Sequence, residues 1–146
     1  MKYTLPVFLM LALHMVLLRI DAYSVPHVDS FMHFVGGITL GVLVCGVLSG
    51  AVKLGWILPP GRFLLFVLIF SLVTTGAVFW EFFEWSVDTI MGTAMQPSIG
   101  DTMKDLLLGQ LGATVYALAV ISSAEKRTPV LQAQIASELA ALKTTH

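Results

Sequence analysis

Four long apolar segments, separated by short polar connections, constrain this chain more than any other feature. They occupy residues 5–20, 31–52, 63–85 and 106–122 of a chain that has only 146 residues. An α-helix needs roughly 20 apolar residues to cross about 30 Å of hydrocarbon. The segments lack the ten-residue alternation that is typical of membrane β-strands. They therefore predict an all-α, polytopic transmembrane bundle of four helices.

The composition excludes several other classes of protein. Hydrophobic residues make up 57% of the chain and charged residues 12%, whereas a soluble domain carries about 25% charged residues. This excludes a water-soluble globule, and the hydrophobicity also excludes intrinsic disorder. A net charge of -1 without a basic stretch argues against nucleic-acid binding, and a single cysteine, Cys45, excludes a disulfide scaffold. The partner that these properties predict is the lipid bilayer.

The two ends of the chain need separate interpretation. The first segment has the outline of a signal peptide, but Arg19 and Asp21 replace the small residues of a cleavage site, so we expect it to be retained as a helix. Polar residues begin after Ser123, and Thr128 followed by Pro129 is typical of a helix start. We predict a four-helix transmembrane domain over 1–124 and a cytoplasmic tail over 125–146 that forms a short amphipathic helix.

The distribution of positive charge predicts the orientation. If the N-terminus is cytoplasmic and four helices span the membrane, six of the eight lysines and arginines face the cytoplasm: Lys2, Lys53, Arg62, Lys126, Arg127 and Lys143. Cytoplasmic loops carry an excess of such residues. We therefore expect both termini in the cytoplasm, with Arg19 and Lys104 toward the outer side.

Ionisable residues concentrate at three helix ends that share the outer face in this topology. They occur as Asp29 and His33 at the start of the second helix, as Glu81, Glu84 and Asp88 at the end of the third, and as Asp101 and Asp105 at the start of the fourth. Residues four apart lie on one face of a helix. Small residues continue two of these faces, as Gly37, Gly41, Cys45 and Ser49 on one helix and Gly109, Ala113 and Ala117 on the other. Such series let membrane helices approach closely, so we expect the carboxylates to converge inside the bundle.

One histidine among several carboxylates is a set of ligands that suits a divalent metal such as Mn, Fe, Mg, Ca or Zn. We predict that His33, Glu84 and Asp105 ligate the ion directly, and that Asp29, Asp101 and Glu81 are further candidates. Alternatively, Asp29 and Asp101 act as helix N-caps, and the other acids share protons or stay hydrated among the headgroups. Lys104 is expected on a different face from Asp105, His14 in the packed core, and Trp80 and Trp85 in an aromatic belt at the interface.

Three ordered blocks of residues resemble the YjdF-like small membrane proteins, which are loosely grouped with the VanZ-like superfamily. The blocks are Asp29-Ser-Phe-Met-His33-Phe, Trp80-Glu-Phe-Phe-Glu84-Trp, and the stretch from Gly100 to Ala113. The resemblance implies a multi-pass protein of the inner membrane, without an agreed activity, and the VanZ-like relatives imply a role in the cell envelope. Relatives often have more helices before the first block than this chain has.

Three functions remain open at this point. The first is an outer-face site for a divalent metal or for a cationic or phosphorylated envelope ligand, with or without catalysis. The second is a proton-coupled transporter that works as an oligomer, formed through the glycine-rich second helix, since four helices are few for transport. The third is a non-catalytic accessory subunit of a membrane complex. The sequence has no motif that assigns a reaction.

Overall fold

The computed structural model describes residues 3–144, with side chains up to residue 123. Within this range every regular secondary-structure element is helical, so the predicted all-α class is confirmed. The elements are α1 (Leu5–Arg19), a short 3-10 turn (Ala22–Ser24), α2 (Val28–Lys53), α3 (Arg62–Met91) and α4 (Ile99–Thr144).

Three of these helices, not four, are long and apolar enough to cross a membrane: α2, α3 and the part of α4 up to Ser123. Helix α1 has 15 residues, which extend for about 22 Å at 1.5 Å per residue and so fall short of the hydrocarbon thickness. It ends early because Asp21 adopts a left-handed backbone conformation with φ 56° and the 3-10 turn follows. The prediction of four full spans is therefore corrected to three spans and one short apolar helix.

Helix α1 nevertheless runs along α2. A side chain at Gly46 would meet the ring of Tyr3, and one at Gly36 would meet the end of Met10. The N-terminal end of α1 thus lies beside the C-terminal half of α2, so the two helices are antiparallel. The N-terminal end of α1 consequently lies toward the end of α2 that carries Lys53.

Helix α4 continues past Ser123 as one helix of 46 residues that ends at Thr144. The segment after residue 123 is rich in Ala, Leu, Glu, Gln and Lys, which are strong helix formers, and this accounts for the continuation. The separate helix start expected at Thr128 is therefore wrong. The side chains of the tail lie outside the described set, so its amphipathic character, its cytoplasmic location and the domain division at residue 124 stay predictions.

Close backbone contact between α2 and α4 organises the bundle. A methyl group at Gly37 would collide with the carbonyl of Gly109, and one at Gly112 would collide with the carbonyl of Phe34. Further along, Gly41 lies against the ring of Tyr116, where an added Cβ would be 2.7 Å from the nearest ring carbon. The small-residue contact predicted for these helices is confirmed.

The packed core lies directly below this contact. Ile69 and Val73 of α3 and Ala113 and Ala117 of α4 are buried there, between 0% and 1% exposed. Two alanines at helical spacing on α4 allow α3 to approach closely, and the bulk comes from α3. The core therefore holds α3 and α4 in register with α2, and this register positions the ionisable residues at one end of the bundle.

The glycine contacts predict a specific pattern of destabilisation. Gly37→Ala and Gly112→Ala should each lower the free energy of unfolding by about 1–3 kcal/mol, since an added methyl group must push backbone away from backbone. The matched control is Gly50→Ala on α2, where nothing lies within 4 Å of an added Cβ; helix propensity should make it neutral or stabilising by up to about 1 kcal/mol. Unfolding of the purified protein in detergent, followed by circular dichroism, measures all three. Equal effects at Gly37 and Gly50 would contradict the packing described.

Candidate metal centre

One end of the bundle, formed by the beginnings of α2 and α4 and the end of α3, brings together residues from all three helices around His33. On α2, Asp29 lies one turn before His33, and its Oδ1 is 3.4 Å from His33 Nε2. The Oδ2 of Asp105, on α4, is 3.9 Å from the same nitrogen. The other ring nitrogen, Nδ1, is 3.8 Å from Oε1 of Glu81 on α3. The predicted convergence of carboxylates from three helices is therefore confirmed by these distances.

The carboxylates in this cluster are among the most buried polar groups of the described chain. Glu81 and Glu84 are each 5% exposed and Asp105 is 3% exposed. Two of their oxygens, Glu81 Oε1 and Asp105 Oδ1, lack a hydrogen-bond partner among the described residues. A buried oxygen without a donor costs about 1–3 kcal/mol, and more when it is charged. A cation or a shared proton at these oxygens would remove that cost.

Two overlapping groups of side chains have the spacing of metal ligands. Asp29, His33 and Asp105 form one group, and His33, Glu81 and Glu84 form the other; within each, the ligand atoms lie within 4.8 Å of one another. Both groups include His33. The arrangement can hold a divalent ion on either side of the imidazole, with carboxylate ligands from α2 and α4 on one side and from α3 on the other.

Lys104 joins this cluster, contrary to the expectation that it faces elsewhere. Its Nζ is 2.6 Å from Asp101 Oδ1, 3.5 Å from Asp105 Oδ1 and 3.7 Å from Asp29 Oδ2. Lys104 precedes Asp105 directly, so its side chain leaves α4 in a different direction. The side chain is long and flexible enough to extend back to the acids. Lys104 thus links the acids of α2 and α4 and partly offsets their charge.

Each glutamate of α3 has one neutral donor. Trp80 Nε1 donates to Oε1 of Glu84 at 2.8 Å, and Gln96 Nε2 donates to Oε2 of Glu81 at 2.6 Å and to the Glu81 carbonyl at 3.1 Å. Trp80 therefore orients a carboxylate, in addition to any position at the interface, whereas Trp85 is largely exposed. These donors hold the two glutamates against the histidine.

Two of the predicted acids, Asp88 and Asp101, make their contacts outside the two ligand groups around His33. Asp88 accepts hydrogen bonds from Thr93 Oγ1 and from the backbone N–H groups of Met95 and Gln96, so it shapes the connection between α3 and α4. Asp101 pairs with Lys104 and belongs to neither of the two groups around His33.

The N-cap roles proposed for Asp29 and Asp101 are wrong. The N-cap of α2 is His27, and Asp29 lies inside the helix. At α4 the Asp101 N–H donates to the Ser98 hydroxyl oxygen at 3.1 Å, so Ser98 fills the capping position before Ile99. Asp29 is therefore available to the cluster around His33.

A second histidine lies beside the cluster. His14 of α1 forms a 2.6 Å hydrogen bond between Nδ1 and the Tyr23 hydroxyl, and its ring packs edge-on against Trp80 at a centroid distance of 5.1 Å. Burial is the main cause that raises the pKa of Tyr23 to about 12, so its hydroxyl stays protonated. The expectation of a satisfied core histidine is confirmed, with a partner from the 3-10 turn.

Sequence reasoning missed Gln96, Lys104 and the carboxylate contact of Trp80. Trp80 precedes Glu84 by four residues, and this spacing alone places both on one helix face. No comparable signal exists for Gln96, because its position depends on how Asp88 folds the connection between two helices. For Lys104 the signal was its charge beside several acids.

These features define a helical membrane protein with a buried histidine–carboxylate cluster at one end of its bundle. A family model described as "Predicted membrane protein (DUF2238)" matches residues 2–126. The chain belongs to this family, which agrees with its resemblance to the YjdF-like proteins; the link to the VanZ-like superfamily stays a prediction. No curated protein and no solved structure matches the chain.

The contact between Gln96 and Glu81 can be tested without any ligand. Gln96→Met keeps the volume but removes the donor, so it should lower the free energy of unfolding by about 1–3 kcal/mol, because a buried carboxylate oxygen loses its partner. In a Glu81→Met background the same change should cost little. A double-mutant cycle in detergent measures the coupling, and a coupling near zero would contradict the contact.

Proposed function

We propose that the His33 cluster binds a divalent cation, and that this binding is the function that the geometry supports best. The observation that carries the proposal is a pair of buried carboxylate oxygens that lack a hydrogen-bond donor among the described residues. Glu81 Oε1 is 3.8 Å from His33 Nδ1, and Asp105 Oδ1 is 3.5 Å from Lys104 Nζ. Ionisable residues inside membrane segments are costly and usually serve a function. An ion bound by Asp29, His33 and Asp105 would compensate the carboxylate of Asp105, and one bound by His33, Glu81 and Glu84 would compensate that of Glu81.

The charge around His33 favours a cation. Asp29, Glu81, Glu84 and Asp105 contribute four carboxylates, and Lys104 offsets one of them. A divalent ion would offset two more. Crowded carboxylates cannot all stay ionised without such compensation, so a bound ion is one of two ways to stabilise this arrangement, and the other is protonation.

The distances refine the proposed ligands. His33, Asp105 and Glu84 remain candidates for direct ligation, with Asp29 added on the side of Asp105 and Glu81 on the side of Glu84. Asp101 is better assigned to orienting Lys104. Each group supplies three ligand residues from two helices, which leaves coordination positions for water or for an envelope ligand, as catalytic metal sites require. Manganese, iron and zinc are favoured when the imidazole is a ligand.

The direct test is the metal content of the full-length protein, purified in detergent without chelator. We expect one equivalent of a divalent ion in the wild type, and less than a tenth of that in His33→Asn and in Asp105→Asn. Metal should also raise the melting temperature of the wild type, because only the folded state holds the ligands together.

Two matched controls belong to this experiment. His27→Asn alters an exposed histidine six residues before His33, in a left-handed position that asparagine tolerates. Asp101→Asn alters an acid outside both ligand groups. Both variants should keep their metal. A wild type that carries no metal, and is not stabilised by Mn²⁺, Zn²⁺, Mg²⁺ or Ca²⁺, would refute the proposal.

Proton-coupled transport by an oligomer is the second candidate. It is supported by the position of His33, because carboxylates lie near both ring nitrogens and a neutral imidazole has only one donor. The oligomer was expected to form through Gly37, Gly41, Gly46 and Gly50. The first three contact Gly109, Tyr116 and Tyr3 of the same chain, which leaves Gly50 open. A non-catalytic accessory role would leave the cluster without metal and without proton flux.

We further propose that the protein lies in the inner membrane with both chain ends in the cytoplasm. The antiparallel packing of α1 on α2 supports a shared side for the N-terminus and Lys53, and the positive residues support the cytoplasm for that side. The cluster would then lie near the outer face.

Cysteine labelling tests this topology. In a Cys45→Ser background, Leu58→Cys in the connection between α2 and α3 should resist a membrane-impermeant maleimide in intact cells. Ile99→Cys, at the start of α4, should react. Both side chains are at least 80% exposed, so access to the reagent depends on the side of the membrane. The reverse labelling pattern would overturn the orientation.

A further inference from the structure

A cavity of about 310 Å³ opens between α1, α2 and α3 and reaches the His33 cluster. This volume lies within the range of small-molecule pockets, which are mostly apolar with a few polar groups and often lie between the helices of bundles. Along α2 the lining extends from Asp29 to Leu40, a length of about 16 Å at 1.5 Å per residue. The cavity is therefore elongated in the direction of the helices.

The two ends of the cavity differ in chemistry. At the end near the cluster the lining contains Asp29, His33, His14, Tyr23 and Trp80. Deeper in the bundle the lining is apolar and includes Val7, Met10, Leu40, Val73 and Ala77. A polar end joined to an elongated apolar section matches a molecule with one hydrocarbon chain and a polar headgroup.

The charge at the polar end decides which headgroup fits. Four carboxylates surround His33, and Lys104 offsets one of them. Even with a divalent metal bound, one formal negative charge remains. Asp29 has the most exposed side chain of the acids around His33, at 31%, and it lines the cavity. The aromatic rings of Trp80 and Tyr23 lie at the same end, and aromatic faces attract cations.

We propose that this cavity binds a single-chain cationic amphiphile, with its ammonium group beside Asp29 and Trp80 and its hydrocarbon chain between α1, α2 and α3. Primary and quaternary ammonium groups both fit, since both carry the required charge. Binding does not require the metal, because the carboxylates are in excess with or without it. The proposal thus adds a ligand class to the site, beyond the metal.

Fluorescence of Trp80 provides a local readout. The other two tryptophans, Trp56 and Trp85, are exposed and can be replaced by phenylalanine. The full-length protein in phosphatidylcholine nanodiscs is titrated with 2-bromododecyl trimethylammonium, whose bromine lies beside the ammonium group and so quenches an indole near the headgroup. We expect saturable quenching of Trp80. The matched anion, 2-bromododecyl sulfate, should bind at least tenfold more weakly, and Asp29→Asn should abolish this preference.

A filled cavity supplies the decisive comparison. Gly36→Leu projects into the cavity, where an added Cβ meets only the end of Met10, at 3.9 Å. Gly50→Leu is the matched control on the same helix, at a position with open space. Gly36→Leu should weaken quenching at least tenfold, whereas Gly50→Leu should leave it unchanged. Unbrominated dodecyl trimethylammonium should relieve the quenching in the wild type, which tests the site without any cavity variant.

The outcomes separate this proposal from the metal proposal, because metal content is measured on the same samples. Loss of quenching in Gly36→Leu with normal metal content supports a cavity site. Quenching that does not saturate, that is equal in Gly36→Leu and Gly50→Leu, or that is equal for the sulfate would overturn the amphiphile proposal and leave the metal proposal intact. Saturable, cation-selective quenching in a protein without metal would support the cavity site while the metal proposal fails.

Discussion

The contact between the backbones of α2 and α4 determines the position of everything at the polar end of this bundle. Gly37 lies against the Gly109 carbonyl, and each glycine follows a cluster residue by one helical turn: His33 on α2 and Asp105 on α4. Fixing the two glycines against each other therefore sets the distance between the imidazole and the carboxylate. A larger residue at Gly37 would separate these helices and, with them, the ligands.

In a bilayer, the polar side chains that this contact brings together also need electrostatic partners. Polar side chains at membrane depth are stable only when they face the interior of the bundle and have partners there. Trp80 and Gln96 provide a donor for each glutamate of α3, and Lys104 reaches the acids of α2 and α4. In the part of the chain whose side chains are described, two buried oxygens remain without a donor. The chain thus provides most, but not all, of the compensation that its carboxylates need, which is the arrangement expected of a site that binds a cation.

Sequence patterns were sufficient for the parts of this structure that depend on local periodicity. The length of the apolar segments indicated α2, α3 and α4. The spacing of four residues between polar positions placed His33, Glu84 and Asp105 on inward faces. Patterns failed where the outcome depends on a connection or on a flexible side chain: Asp21 ends α1 before it spans the membrane, and Gln96 reaches Glu81 only because Asp88 folds the preceding connection. The cavity was also beyond sequence reasoning, since three helices contribute its walls.

Electron spin-echo spectroscopy of the protein loaded with Mn²⁺ tests the central claim most directly, because it detects nitrogen bound to the ion. We expect one equivalent of Mn²⁺ with the modulation of a single histidine nitrogen, shifted by ¹⁵N-histidine labelling. This signal should be lost in His33→Asn and retained in His14→Asn and His27→Asn. Mn²⁺ that binds without nitrogen modulation, or a modulation that persists in His33→Asn, would contradict a metal centre built around His33.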